Sequence, residues 1–280
     1  MAIQRRQFLT VGVAMGLVLC GTMPQAWAQE SNAAPVEDTW PGLVDDLFKG
    51  RTLVDGTGLL NIDAPSRAED AALVPIGISL TLPADDARKL ARLWLVVDQN
   101  PSPLVGTFEI GPKSGLTTIS TRIRVNTYSN VHAVAELSDG TFYMSEKFVK
   151  AAGGCSAPAA KKAGEADAWL GHMRLKPLPA TTNASSRTAE ALFMMRHPNN
   201  SGLQMDQVTH LYVPAHFVQD LKIWQGDDLV LAMEGGISIS EDPNFRFNYA
   251  VNGAPVMRAR AVDTQGGVFE NSWPIGKPAT

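Results

Sequence analysis

The chain has 280 residues, of which 45% are hydrophobic and 19% are charged, and its formal net charge is −4 at neutral pH. A chain of this length and composition can fold into one large or two small globular cores. The acidic excess disfavours nucleic acid and anionic membrane surfaces as partners.

The first 28 residues have the layout of an export signal. Arg5 and Arg6 precede an apolar run over 11–20, and the segment 26–28 supplies small residues for cleavage. The paired arginines indicate the twin-arginine route, and the apolar run is too short to span a bilayer. We therefore expect a cleaved twin-arginine signal peptide at 1–28. The mature protein would be periplasmic and free of the membrane, with 28 acidic and 22 basic side chains.

Residues 40–149 predict one short helix followed by β-strands. Leu43, Leu47 and Phe48 recur at helical spacing, and the helix is expected to end at Lys49-Gly50. Alternating or short continuous apolar runs, bounded by turn residues, predict strands at 59–62, 74–82, 93–97, 119–125, 131–137 and 141–149. Short strands with turns at this spacing are typical of an antiparallel, immunoglobulin-like β-sandwich.

A change of composition divides the chain after residue 149. Residues 150–185 predict a cysteine-bearing arm and linker, although Trp169, Leu170, Met173 and Leu175 indicate one ordered strand inside it. Further strands are predicted at 192–195, 217–224, 229–233, 245–249, 256–262 and 268–273. The predicted fold class is all-β, with immunoglobulin-like β-sandwich domains at 40–149 and 186–280 joined by a flexible linker.

Cys155 is the only cysteine that remains once a signal containing Cys20 is removed. Gly153 and Gly154 precede it, so we expect a flexible arm with these glycines as its hinge and an accessible thiol at its end. An unpaired cysteine in an exported chain has three interpretations: an intermolecular disulfide, a reactive thiol, or a residue of no consequence. The nearby lysines either favour the thiolate or only aid solubility; they are Lys147, Lys150, Lys161 and Lys162.

Motifs in both halves resemble the Sox sulfur-oxidation proteins of bacteria. The first half resembles SoxY, the sulfur-carrying subunit, at 98–105, at 119–124 and at Gly153-Gly154-Cys155. The second half resembles its partner SoxZ at His197-Pro198, at 214–218 and from Gly235 to Phe245. The order of the halves, their fusion and the export signal resemble the SoxYZ-like carriers that are associated with quinoprotein dehydrogenases.

The resemblance implies two sandwiches that pair with each other and a cysteine that carries a sulfur intermediate between enzymes. Cys155 would be the covalent attachment site, and the chain would have no catalytic turnover and no cofactor. The implied partners are enzymes of sulfur compounds or proteins of a quinoprotein dehydrogenase system. The chain departs from the family at Ser156-Ala157-Pro158, because the SoxY arm ends there with a second pair of glycines. The thiol is therefore tethered at both ends.

Two other classes of function stay open. One is a non-covalent accessory protein of a pyrroloquinoline-quinone-dependent alcohol dehydrogenase, which rests on the family association alone. The other is a thiol redox enzyme, although the mature chain lacks the second cysteine that usually resolves a mixed disulfide.

Two further groups of residues are candidates for binding. His197, His210 and His216 are candidate metal ligands, but neighbouring prolines favour turns, and we expect no metal. Arg122 and Arg124 are candidates for binding an anionic sulfur ligand, although a solvated strand face is the favoured interpretation.

Overall fold

The computed structural model describes residues 38–158, 169–178 and 188–275, which form one helix and fifteen strands. The predicted signal peptide lies outside these ranges, and so do 159–168 and 179–185 of the predicted linker. The elements are α1 Trp40–Phe48, β1 Leu53–Asp55, β2 Leu60–Asp63, β3 Val74–Leu80, β4 Leu90–Val97, β5 Leu104–Ile110, β6 Thr118–Ile123, β7 Ser129–Leu137, β8 Phe142–Val149, β9 Met173–Leu178, β10 Thr188–Met195, β11 Val218–Gln225, β12 Asp228–Gly235, β13 Asn244–Ala250, β14 Val256–Asp263 and β15 Val268–Pro274.

Helix α1 begins and ends where its sequence dictates. Pro41 lies in the first turn, where a missing N–H costs nothing, and Lys49 adopts a left-handed conformation that ends the helix. Phe48 is buried against the rings of Trp94 and Phe142, whose centroids lie 5.5 and 6.3 Å away. No helix in the described ranges is long and apolar enough to cross a membrane.

The strands form two sheets, and both halves of the chain contribute to each. The nine-stranded sheet has the order β1-β8-β7-β4-β5-β12-β11-β14-β15, and the six-stranded sheet has the order β2-β3-β6-β13-β10-β9. All neighbours pair antiparallel except β1 with β8. The predicted fold class is confirmed: the protein is all-β, with two immunoglobulin-like sandwich halves.

The two halves join edge to edge in both sheets. Strand β5 pairs with β12 from Ile110 opposite Leu231 to Gly106 opposite Gly235, and β6 pairs more briefly with β13. A single cluster of buried apolar side chains extends through both halves. Phe108 on β5 packs edge to face against Phe245 on β13, with ring centroids 6.0 Å apart. The halves therefore share one core.

The helix and most strands lie where the sequence predicts them, with two exceptions. Strands β1 and β5 were not predicted, and β5 forms half of the junction in the larger sheet. Strand β9, inside the predicted linker, confirms the single ordered strand expected there and pairs with β10 at the edge of the smaller sheet. Residues 173–178 are thus part of the second sandwich half.

The close approach of β5 and β12 makes Gly111 a sensitive position. A Cβ atom on Gly111 would lie 1.7 Å from the carbonyl oxygen of Leu229, so the backbone would have to move at the junction. We expect Gly111→Ala to lower the free energy of unfolding by about 1–3 kcal/mol, the usual cost of overpacking, in a urea titration. Gly42→Ala is the control, because a Cβ there meets nothing within 4 Å. Equal stability of the two variants would contradict this account of the junction.

Candidate functional site

The segment that carries Cys155, residues 151–157, is packed against the first sandwich half. It follows β8 directly. The Gly153 amide donates to the carbonyl of Asn126 at 2.7 Å, and the Gly154 amide donates to the carbonyl of Val125 at 3.1 Å. These two bonds fix the backbone immediately before the cysteine. We call 151–157 the cysteine segment.

Two side chains of the second half hold the same segment from the other side. The Ser201 hydroxyl donates to the carbonyl oxygen of Cys155, and the Gln204 side-chain amide donates to the carbonyl oxygen of Ala157 at 3.1 Å. Both donors are buried, and the side-chain Oε1 of Gln204 accepts from the backbone amide of Ser201. The cysteine segment thus bridges the two halves.

The expected flexible arm with an exposed thiol is wrong for this conformation, because Cys155 has 0% of its surface exposed. In this conformation the two glycines are present because the backbone leaves no space for a side chain or has a left-handed φ, and not because the segment is flexible. Gly153 has a left-handed φ of 78°. A Cβ on Gly154 would lie 2.1 Å from the Ala71 carbonyl oxygen, so only glycine fits. The roles of Cys155 as attachment site and of the glycines as hinge stay predictions.

Burial also sets the protonation state of the thiol. It raises the pKa of Cys155 to about 11, while the charge of Arg124 acts in the opposite direction. We call this packed conformation of the cysteine segment the docked state. In the docked state Cys155 is therefore a neutral thiol near neutral pH. The cation that acts on it is Arg124, whereas Lys147 and Lys150 are exposed and Lys161 and Lys162 lie outside the described residues.

Arg124 is not part of a solvated strand face, which corrects the favoured interpretation of the sequence. Only 1% of its surface is exposed. Its Nη1 donates to the carbonyl oxygens of Ile237 and Ile239 in the second half, at 3.2 and 2.5 Å. Arg122 is partly exposed and donates to the carbonyl oxygen of Asp242 at 3.2 Å. The two arginines therefore lie in different surroundings.

Two of the three candidate metal-binding histidines lie together with an aspartate. The Nε2 atoms of His197 and His216 are 3.4 and 2.8 Å from Oδ2 of Asp263, and His210 lies elsewhere, on an exposed turn. Burial raises the pKa of the Asp263 carboxyl, but hydrogen bonds from His216, Gly267 and other donors outweigh it and lower that pKa overall. Burial and the nearby His216 lower the pKa of His197.

The tautomer of His197 argues against a metal ion in this cluster, although three ligand atoms lie within 4.8 Å of one another. The Asn199 amide donates to Nδ1 of His197 at 3.1 Å, so Nδ1 carries no proton. The neutral ring then has its proton on Nε2, which donates to Asp263 and offers no lone pair to a metal. The two histidines instead both form hydrogen bonds to the Asp263 carboxylate.

Sequence reasoning missed three residues of this region. Ser201 and Gln204 lie in a stretch without an apolar period, so no pattern indicated that their side chains would reach the cysteine segment. Asp263 lies at the end of β14, two residues before the glycine-containing turn 265–267, and its Oδ1 accepts from the amides of Gln265 and Gly267. An aspartate shortly before a glycine-containing turn is a sequence signal for this capping.

Family comparison assigns both halves of the chain. The family described as sulfur oxidation protein SoxY matches residues 44–155, and the family described as sulphur oxidation protein SoxZ matches residues 176–274. Both are families of sulfur-oxidation proteins. The chain belongs to them in tandem: it is a fused SoxYZ-like carrier, with a SoxY domain followed by a SoxZ domain in one polypeptide.

Solved structures with a similar fold resemble part of the chain. The sulfur carrier protein SoxY from Chlorobium limicola f thiosulfatophilum is 22% identical, with a TM-score of 0.33, over 40% of this chain and 94% of that one. A putative superoxide reductase from Thermotoga maritima is 16% identical, with a TM-score of 0.31, over 37% of this chain and 96% of that one. No curated protein matched the sequence.

We expect the docked thiol to react slowly. At pH 8, iodoacetamide should modify Cys155 on the order of 100-fold more slowly in the native protein than in urea, because a pKa of about 11 leaves little thiolate. The rate should rise with pH toward that pKa. Gly154→Ala should accelerate the reaction by about tenfold or more by preventing docking, whereas Ala152→Ser, at an exposed position, should not. A native rate equal to the denatured rate would contradict the docked structure.

The Asp263 carboxylate should support stability above acidic pH. Because its pKa is lowered in the folded protein, its contribution is present above the ordinary value near 4 and is lost as pH falls through the lower folded value. Asp263→Asn should reduce the free energy of unfolding by about 1–3 kcal/mol at pH 7 and by less at pH 3. Urea titrations at both pH values measure the difference. Asp220→Asn, on β11 of the same half, is the comparison for a general charge effect.

Proposed function

We propose that this protein is a periplasmic carrier that holds a sulfur intermediate covalently on Cys155 and presents it to partner enzymes. The observation that supports the proposal is the position of Cys155. The thiol lies at the end of the SoxY match, in a segment that both domains hold through hydrogen bonds. The two glycines that precede Cys155 allow this packing, because Gly153 has a left-handed φ and a Cβ on Gly154 would have no room.

The carrier alternates between the docked state described above and an undocked state that partners can reach. Among the described residues, undocking breaks four hydrogen bonds of the cysteine segment: those donated by Gly153, Gly154, Ser201 and Gln204. At about 0.5–1.5 kcal/mol net for each bond, these bonds favour docking by roughly 2–6 kcal/mol, before the burial of Cys155 and the entropic cost of ordering the segment are counted. A binding partner can supply a free energy of this size, so release of the thiol is coupled to partner binding.

The undocked thiol has the chemistry that a carrier needs. Outside its buried site the thiol returns toward an ordinary pKa of about 8.5 and gives up its proton to solvent more readily. The thiolate then attacks the outer sulfur of a persulfide or polysulfide donor. One S–S bond forms as one S–S bond of the donor breaks, and the leaving sulfur takes the electron pair. Cys155 ends as a persulfide anion without the need for an external oxidant.

The proposed partners are enzymes that load and unload sulfur compounds. Export through the predicted twin-arginine signal would place the carrier in the periplasm with them, where a thiol without a partner is exposed to oxidation. Docking protects it there, because a buried neutral thiol is a poor nucleophile and a poor target for oxidants. A quinoprotein dehydrogenase as partner is a hypothesis that rests on the family resemblance alone.

Intact-protein mass spectrometry after purification from native cells tests the proposal. We expect part of the wild-type protein to carry a sulfur-containing adduct at Cys155 that a reducing agent removes, and its mass identifies the cargo. Cys155→Ser should carry none, and a strain with this variant should lose growth on the sulfur compounds concerned.

The outcome that would overturn the proposal is an unmodified thiol in every sample together with normal growth of the Cys155→Ser strain. A non-covalent accessory role predicts the opposite pattern, in which a tagged protein captures its dehydrogenase equally well with cysteine or serine at position 155. Ala152→Ser serves as the matched control for a serine substitution in the same segment that leaves the thiol intact.

A further inference from the structure

Arg124 has an unusual environment for a charged side chain. It is 1% exposed and follows strand β6 at the seam between the halves. Its Nη1 donates to two carbonyl oxygens of the second half, but its Nε is buried without a hydrogen-bond partner in the described part of the chain. A buried N–H donor with no acceptor costs free energy comparable to a lost hydrogen bond. This donor is available for an acceptor that the resting protein lacks.

The charge of Arg124 is also poorly compensated in the resting protein. None of its hydrogen bonds within the described ranges joins it to a carboxylate. Cys155 is the acidic group whose charge acts on it most strongly, ahead of Glu241 and Asp70. The backbones confirm that the two residues are close, because the Gly154 amide donates to the carbonyl of Val125. A docked Cys155 in its neutral form contributes no negative charge, so the charges that still act on the guanidinium are the weaker ones of Glu241 and Asp70.

We propose that Arg124 is the binding residue for an anionic sulfur adduct on Cys155, and that a persulfide anion is the adduct which the docked cysteine segment retains. This inference rests on the proposed carrier function. The terminal sulfur of a persulfide supplies the negative charge and the acceptor that the Arg124 guanidinium lacks. The complete burial of Cys155 restricts the adduct to a small one. A neutral adduct also adds volume at the buried cysteine but forms no ion pair with Arg124. A neutral adduct therefore favours the undocked state.

The experiment compares two chemically defined adducts on the full chain. A polysulfide anion reacts with the Cys155 thiolate to give the persulfide anion and a polysulfide shorter by one sulfur. Methyl methanethiosulfonate reacts with the same thiolate to give a neutral methyl disulfide and methanesulfinate. Hydrogen exchange of the Gly153 and Gly154 amides, followed by mass spectrometry, then reports whether the segment is docked, because both amides are hydrogen-bonded only in the docked state.

We expect the persulfide form to exchange about as slowly as the free thiol, and the methyl disulfide form to exchange roughly tenfold faster or more. In Arg124→Gln, the persulfide form should exchange as fast as the methyl disulfide form, although the adduct is of the same size as in the wild type. Arg124→Lys restores the positive charge and should recover part of the protection, which a purely structural role for Arg124 does not explain. Arg122→Gln is the matched control and should behave as wild type.

Equal exchange of the two adducts in the wild-type protein would overturn the inference, and so would an unchanged difference between them in Arg124→Gln. If Arg124→Gln does not fold, the inference is still tested by the exchange rates of the two adducts in the wild-type protein and in Arg124→Lys. Because the adducts are made chemically, the result is independent of the cargo found in cells. An unmodified native thiol together with normal growth of the Cys155→Ser strain would refute the carrier function without changing this measurement.

Discussion

The pairing of β5 with β12 and of β6 with β13 is the interaction on which the rest of the structure depends. Unpaired sheet edges leave backbone N–H and C=O groups without partners, and here each half satisfies those of the other. The pairing fixes which faces of the strands meet, so that Phe108 and Phe245 share one core. It also brings Ile237 and Ile239 of the second half to the Arg124 guanidinium. Without this junction, neither the shared core nor the surroundings of Cys155 would exist.

The cysteine segment shows how a reactive group is kept inactive by packing. Hydrogen bonds from both halves close the segment, burial keeps the thiol protonated, and Arg124 lies near enough for its charge to favour the thiolate. Burial and the charge of Arg124 have opposite effects on the pKa of the Cys155 thiol, and burial prevails in the unloaded protein. A change at the sulfur that adds negative charge alters the balance, which links the chemical state of Cys155 to the conformation of its segment.

The sequence predicts the fold well where apolar residues alternate, and poorly where a glycine occupies a buried position. Strand β5 was missed because Gly106 stands at one of its buried positions and interrupts the apolar pattern. The helix and the second-half strands carry complete patterns and were predicted. The burial of Cys155 was not predictable from local composition. A glycine at position 154 fits a flexible arm, and it equally fits a packed segment in which a Cβ would clash with the Ala71 carbonyl oxygen. Arg124 was misjudged for a related reason: its burial depends on the connection between β12 and β13, more than 100 residues away in sequence.

Covalent fusion of the two halves makes the shielding of the thiol independent of how much protein is present. Val125 and Asn126 hold the cysteine segment from one half, and Ser201 and Gln204 hold it from the other. In a complex of two separate chains, dilution below the dissociation constant would part these residues and leave the cysteine open. In one polypeptide the halves meet at an effective concentration set by their connection, on the order of millimolar for short linkers. The thiol is then as well protected at low protein concentration as at high concentration.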